Sequence, residues 1–209
     1  MSRPLSAVEI ESFRAELCRV ATRRFAEAGY TGVTLRGLAS ELGVSPMTPY
    51  RYFQNKEAIF DAVRAAAFDR FGDFTTEARA ESESLAPLDQ LHAMGLAYVE
   101  FALREPHAYR IMFELDHLAP RDDAFLEARR ARCWGQILAV CERCIREGAL
   151  SGDPLQVAHV CWVTLHGLVS LHLSGKLQVG LRLEELLEPT LKTVLRGAAS
   201  TPRDSAGLR

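Results

Sequence analysis

Met47, Thr48, Tyr50, Arg51 and Tyr52 crowd into one short run of the segment TLRGLASELGVSPMTPYRYF, Thr34 to Phe53, and together they have the chemistry to read a nucleic-acid duplex. Hydroxyls donate to phosphate oxygens, the methyl groups of Thr and Met touch the thymine methyl, and an arginine pairs bidentately with guanine. The residues between them are apolar at helical spacing. Leu35, Leu38, Ala39 and Leu42 form one face of a first short helix that Thr34 can N-cap, and Gly43 ends it where the chain needs a positive φ. Ser45 followed by Pro46 reads as the cap and first position of a second helix. In that helix Val44, Pro49 and Phe53 face inward, and the polar set faces out. Pro49 is expected to distort its first turn, because it removes an intrahelical N–H and disfavours α geometry at Thr48.

Those elements need a frame, and the surrounding periodicity supplies a helical one. Ile10, Phe13, Leu17, Val20, Ala21 and Phe25 recur at helical spacing up to Gly29, predicting a first helix that buttresses the reader. Asn55 can cap a connecting helix that starts at Lys56, with Phe60, Val63, Ala67, Phe71 and Phe74 as its stripe. Prolines at plausible starts and glycines at plausible stops divide the rest into helices near 87–104, 106–115, 121–148, 154–175 and 183–197, with Pro189 kinking or dividing the last. The expected fold is all-α: an N-terminal three-helix bundle with a helix-turn-helix, and a larger C-terminal helical domain. The domain boundaries read as 9–55, 56–197 and a disordered tail at 198–209.

Here the chain resembles the TetR family of transcriptional regulators. Gly29-Tyr30, Thr34, Gly43-Val44-Ser45, Thr48, Tyr50-Arg51-Tyr52-Phe53 and Lys56-Glu57 match the family's signature in order and spacing; Pro49 stands where the family usually has an aliphatic residue. The resemblance implies that Ser45, Thr48, Tyr50, Tyr52 and Lys56 hold phosphates of operator DNA. It makes Arg36, Met47, Thr48 and Arg51 the candidates for base edges, on a helix begun by Thr34. Further on, Trp162 and His166-Gly167, with the run Glu105 to Phe113, resemble the Trp-His-Gly subgroup of the family's C-terminal domains.

Length, charge and cysteines fit this picture. The 209 residues suffice for one sizeable core and a small appended domain, and nothing at the start has the apolar run of a signal peptide, so a cytoplasmic protein is expected. A formal net charge of -2 suits a DNA binder poorly until it is divided along the chain. Residues 1–60 hold eight Lys and Arg against six Asp and Glu; the remainder holds 17 against 21. The asymmetry is small, so the DNA reading rests on the motif. Val157 to Leu173 lacks charge over 17 residues but carries three histidines, a threonine and a serine, too short and too polar to span a membrane. A soluble helix apolar all round must pack on something besides its own domain, and the leucine-rich last helix has the same need. Two such helices from each of two chains would form a four-helix homodimer interface, as the family does.

Phe71, Met94, Tyr98, Phe101, Tyr109, Met112, Phe113, Trp134, Trp162 and His166 lie on helices that should converge, with the composition of either a plain core or an apolar ligand pocket. The resemblance favours a pocket, for a small-molecule effector that the residues do not identify. Cys141 and Cys144 offer an alternative, a thiol- or metal-sensing switch, but they share the stripe of Trp134 and Ile137, and no partner pair follows at zinc-site spacing. No cofactor or metal site is expected. For catalysis the chain offers no nucleophile elbow, phosphate loop or paired carboxylates in context.

Overall fold

The computed structural model describes residues 6–113 and 124–198, and every regular element among them is helical. In order these are α1 (Ala7–Gly32), α2 (Leu35–Glu41), a 3-10 turn (Pro49–Arg51), α3 (Lys56–Glu81), α4 (Pro87–Arg104), α5 (Pro106–Phe113), α6 (Ala124–Arg146), α7 (Pro154–Leu173) and α8 (Leu183–Ala198). They fall into two compact units. The described parts of Met1–Arg70 and Glu105–Arg129 form one, and those of Phe71–Arg104 and Arg130–Arg209 the other.

In the first unit, Ser6 and Glu9 close a reciprocal capping box at the start of α1. The helix is interrupted at Gly29, whose φ of 69° only a residue without Cβ adopts freely. Leu17, Val20, Ala21 and Phe25 are buried against Leu35 and Leu38 of α2 and Ile59, Phe60 and Val63 of α3. Ile111 of α5 completes the same core, and α5 packs along α1. The apolar periodicity that marks α5 does not say which core it serves.

In the second unit, α7 and α8 pack on one another and on α4. Pro154 opens α7 behind the Asp153 cap, as its position suggested. The helix is 20 residues long, and by length and composition alone it could cross a bilayer, so brevity does not argue against a span. Pro189 sits inside α8 without dividing it, and the helix continues to Ala198, whose carbonyl accepts from the Ser151 amide. The remaining tail, 199–209, lies outside the described residues, as do the expected helical residues 114–115 and 121–123.

Two contacts tie this unit together, and neither is visible in the sequence pattern. The Arg143 guanidinium donates to the carbonyls of Glu83 and Leu85 and to Gln90 Oε1, fastening the α3–α4 connection to α6. Gln90 is itself buried and donates to the Arg79 carbonyl. At Gly95 a Cβ would stand 2.5 Å from Leu191 Cδ2 and 3.4 Å from Leu165 Cδ1, so the missing side chain is what lets α4, α7 and α8 approach. Gly95→Val should therefore lower stability by about 1–3 kcal/mol through overpacking, read as a lower urea midpoint at constant slope. An unchanged midpoint would mean that Leu191 is free to move aside.

Candidate nucleic-acid interface

The reading edge begins at α2. Thr34 Oγ1 accepts from the Gly37 amide at 3.0 Å, so the expected cap forms, and Arg36 stands exposed in the first turn. The helix ends in paired turn bonds, Val44 N to Ala39 O at 3.0 Å and Gly43 N to Ser40 O at 3.2 Å, with Gly43 at a φ of 67°. Arg23 and Arg24 of α1 both reach Glu41, tying the far end of α2 to the buttress.

The second helix expected from Ser45 is not an α-helix. The Ser45 carbonyl accepts from Thr48 N at 2.8 Å, three residues on, and Arg51 N donates to Thr48 O at 3.1 Å. Only Phe53 N, donating to Pro49 O at 3.0 Å, makes an α-type bond. The cause is Pro49. If Ser45 caps and Pro46 opens the helix, Pro49 should donate the first i→i−4 bond, and it has no N–H. The chain takes three-residue turns instead, and distortion expected of one turn extends to the whole element; Thr48, expected to avoid α geometry, nevertheless keeps it, at a φ of -62° and a ψ of -46°.

The distribution of side chains survives this change. Pro49 and Phe53 are buried and Val44 half-buried; Met47 is 66% exposed, Tyr50 51% exposed, and Ser45 and Arg51 also lie at the surface. Thr48 and Tyr52 are half-buried. Lys56 is engaged within the head: its ammonium donates to the Tyr30 carbonyl at 2.9 Å and lies 4.2 Å from the centre of the Tyr30 ring. A cation at a helix N-terminus opposes the helix dipole, and the contact with Tyr30 offsets this. Of its three donors, one is committed to Tyr30. Asn55 caps α3, its Oδ1 accepting from Ala58 N at 2.8 Å.

The ten residues considered for an effector site divide between the two units. Tyr109, Met112 and Phe113 belong to the first, with the Phe113 ring against Tyr109 and Phe68. Phe71, Met94, Tyr98, Phe101, Trp134, Trp162 and His166 belong to the second. There Phe71 meets Tyr98 and Phe101 edge-on, and Trp134, His159, Trp162 and His166 follow one another along α6 and α7. The Tyr98 hydroxyl lies 3.2 Å from His166 Nδ1, giving that histidine a polar partner. Sequence reasoning missed a groove of about 250 Å³ lined by Phe74, Glu77, Ala78, Glu81, Ala97, Glu100 and Arg104. Its rim is charged, unlike the apolar pocket expected.

The cysteine alternative finds no support in the geometry. Cys141 and Cys144 are fully buried, and Cys144 Sγ donates to the Pro87 carbonyl at 3.1 Å. Burial pushes the Cys141 thiol up to about 12 and those of Cys144 and Cys161 up to about 11, against the thiolate that metal binding or oxidation requires. Among the described residues no three His, Cys, Asp or Glu side chains cluster as a metal site would demand.

A capped helix, a tight glycine turn and an exposed hydroxyl- and arginine-bearing turn, carried by an all-α chain, define a helix-turn-helix DNA-binding regulator. Two family models match: bacterial regulatory proteins of the tetR family over residues 17–63, and a tetracyclin repressor-like C-terminal domain over residues 91–194. The chain belongs to the TetR family of transcriptional regulators. Among solved structures, a Rhodococcus sp. RHA1 protein of unknown function is 26% identical, with a TM-score of 0.75 over 90% of this chain and 95% of that one. A TetR family transcription regulator from Marinobacter aquaeolei VT8 is 18% identical, with a TM-score of 0.73 over 91% and 97%. A ketosteroid transcriptional regulator of Mycobacterium tuberculosis is 22% identical, with a TM-score of 0.65 over 90% and 96%. At these last two identities the likeness is one of fold. No curated protein matches the chain.

The buried thiols generate a prediction. With Cys141 pushed up to about 12 and Cys144 to about 11 in the fold, and unfolded thiols at about 8.5, their contribution to stability is whole below about pH 8.5 and is lost as pH rises toward 11 to 12. An aromatic disulfide reagent at pH 8 should leave Cys141, Cys144 and Cys161 unlabelled in the native protein and label them in urea. Rapid native labelling of Cys141 would contradict their burial.

Proposed function

We propose that this regulator is a cytoplasmic, homodimeric repressor that a small, largely apolar effector releases from operator DNA. The observation that carries the DNA assignment is the exposed set Arg36, Met47, Tyr50 and Arg51 on a head whose core is fully buried. Arg36, Met47, Thr48 and Arg51 read base edges; Ser45, Thr48, Tyr50, Tyr52 and the remaining donors of Lys56 hold phosphates, with Thr34 fixing the helix that presents them. The functional division runs between the reading residues 9–55 and the sensing and dimerising residues 56–197.

Dimerisation is supported by what α7 and α8 leave uncovered. Leu155, Val160, Val163 and Leu171 are exposed along α7, and Leu186 and Leu187 of α8 are half-buried, whereas Val194 and Leu195 pack on the unit's own core. A second copy would cover the α7 side chains with Leu186 and Leu187 and set two heads on one duplex. The effector would be held among aromatic side chains such as Phe71, Tyr98, Phe101, Trp134 and Trp162, with His166 as a polar handle. It can shift the protein off DNA only by the difference between its affinities for the two states.

Selection of bound duplexes from genomic fragments tests the reading directly. On a selected duplex, Tyr50→Ala should weaken binding to all sequences, whereas Arg36→Ala should cost about 1–3 kcal/mol at one position and leave random DNA unaffected. Equal losses on specific and random DNA would remove Arg36 from the base readers. Light scattering should give a dimer mass at micromolar concentration, and Leu187→Glu or Leu195→Glu should dissociate or unfold it by burying an unpaired charge, Leu187 being the clearer probe because Leu195 also packs on the chain's own core. A stable monomer of the unmodified chain would overturn the assembly. An apolar compound that binds should raise the melting temperature with the logarithm of its concentration and release DNA reciprocally, and Phe101→Trp should block the release but leave DNA binding intact.

A further inference from the structure

The segment from Ser45 to Phe53, proposed above to face DNA, is held less by its own backbone than an α-helix would be. An α-helix is fixed by a ladder of i→i−4 bonds, but the segment from Ser45 to Phe53 contains Pro46 and Pro49, which donate nothing, and its turns close mainly through three-residue bonds. Short 3-10 pieces have poorer hydrogen-bond geometry than α-helix, so this one needs restraint from outside. The structure provides it at the C-terminal end. Phe13 and Arg14, adjacent on α1, meet Tyr52 and Phe53, adjacent on the turn. The Phe13 and Tyr52 rings lie 4.5 Å apart, and the Arg14 guanidinium sits 4.7 Å from the centre of the Phe53 ring. Arg14 Nη1 also donates to the Tyr52 carbonyl at 3.5 Å, a long bond that closes one end of the contact. Both α1 residues are half-buried, three and four positions before Leu17, which is fully buried in the head's core.

We infer that Arg14 is a positioning residue for sequence-specific recognition: held on α1, its guanidinium fixes the Tyr52-Phe53 end of the proline-bearing turn so that Met47, Tyr50 and Arg51 meet the groove already in register. This rests on the DNA-reading assignment of those three residues. Arg14 acts through the turn and does not touch nucleic acid. A turn left loose would have to be ordered when the complex forms, and that cost falls on the specific complex, where side chains must meet particular base edges. Nonspecific binding, held by phosphate contacts that tolerate many geometries, is spared. The chemistry at Arg14 is a delocalised cation on an aromatic face with one donor to a carbonyl; lysine supplies the charge and a donor but not the stacking plane, and methionine supplies none of these.

The test compares the unmodified full-length chain, Arg14→Met and Arg14→Lys on a duplex selected from genomic fragments and on a random-sequence duplex, each over a range of salt concentrations. Arg14→Met keeps the apolar stem of the side chain and removes the guanidinium. It should lose about tenfold or more on the selected duplex, keep its affinity for the random one, and leave the salt slope unchanged. Arg14→Lys, which keeps the charge but not the stacking plane, should recover part of the loss. Amide hydrogen exchange should quicken across residues 44–53 of Arg14→Met while that of residues 17–26 stays as in the unmodified protein. Equal affinity of Arg14→Met and the unmodified chain for the selected duplex overturns the inference. So do equal losses on both duplexes with a salt slope reduced by about one, which would make Arg14 a phosphate ligand. Should Arg14→Met melt below the assay temperature, Arg14→Lys against Arg14→Gln decides the matter: a charge-bearing variant that fares no better than the neutral one refutes the role. An unmodified chain that prefers no duplex would instead remove the DNA-reading assignment itself.

Discussion

The head is organised around the Tyr30 ring. It stacks on Phe25 at 5.8 Å, meets Phe60 edge-on at 5.3 Å, and receives the Lys56 ammonium on its face. Phe25 and Phe60 are themselves 4.9 Å apart at a near right angle, the edge-to-face arrangement that ring quadrupoles favour. Tyr30 can occupy that place only because Gly29 breaks α1 one residue earlier; a continued helix would rotate the next side chain by about 100° and carry the ring elsewhere. The backbone break, the aromatic contact and the Lys56 bond thus fix the end of α1 to the start of α3, and the orientation of the reading elements between them follows.

Within that frame the reading edge is a compromise between helix and turn. Gly43 and the paired bonds around it set a sharp corner after α2, as a helix-turn-helix needs. Pro49 then trades regular helical structure for burial: its ring is buried, and its nitrogen cannot donate. The exchange leaves Met47, Tyr50 and Arg51 exposed, since which side chains face inward is decided by Pro49 and Phe53 and not by the type of hydrogen bond. It also leaves the segment with few α-type bonds of its own, and Phe13 and Arg14 of α1 contact its Tyr52-Phe53 end.

In the second unit apolar and polar contacts do different work. Gly95 sets how closely α4, α7 and α8 approach, while Arg143 and Gln90 satisfy backbone carbonyls at the α3–α4 connection that would otherwise need water. The three thiols of Cys141, Cys144 and Cys161 behave here as small apolar groups. Their spacing suggested chemistry, and their surroundings withhold it, because desolvation works against the thiolate.

The sequence by itself determined the motif and most of the helices, though not the 3-10 form of the segment that Ser45 and Pro46 marked as a helix. Thr34 before an apolar run, Gly43 after it, Asn55 before Lys56, and the prolines at 87, 106 and 154 are local signals whose physics acts within a turn or two, and each marks a helix end in the structure. The same locality exposed Pro49 as a problem. What the tertiary structure decided lies between residues far apart in the chain. That Ile111 joins the core of Phe25 and Phe60, that Lys56 is held by Tyr30, that Arg14 reaches the Tyr52 carbonyl across 38 positions, and that the aromatic candidates divide between two units all depend on helix packing. A periodic apolar stripe says that a face will be buried. It carries no information about which other stripe will cover it, because hydrophobic burial is non-directional and any complementary face satisfies it.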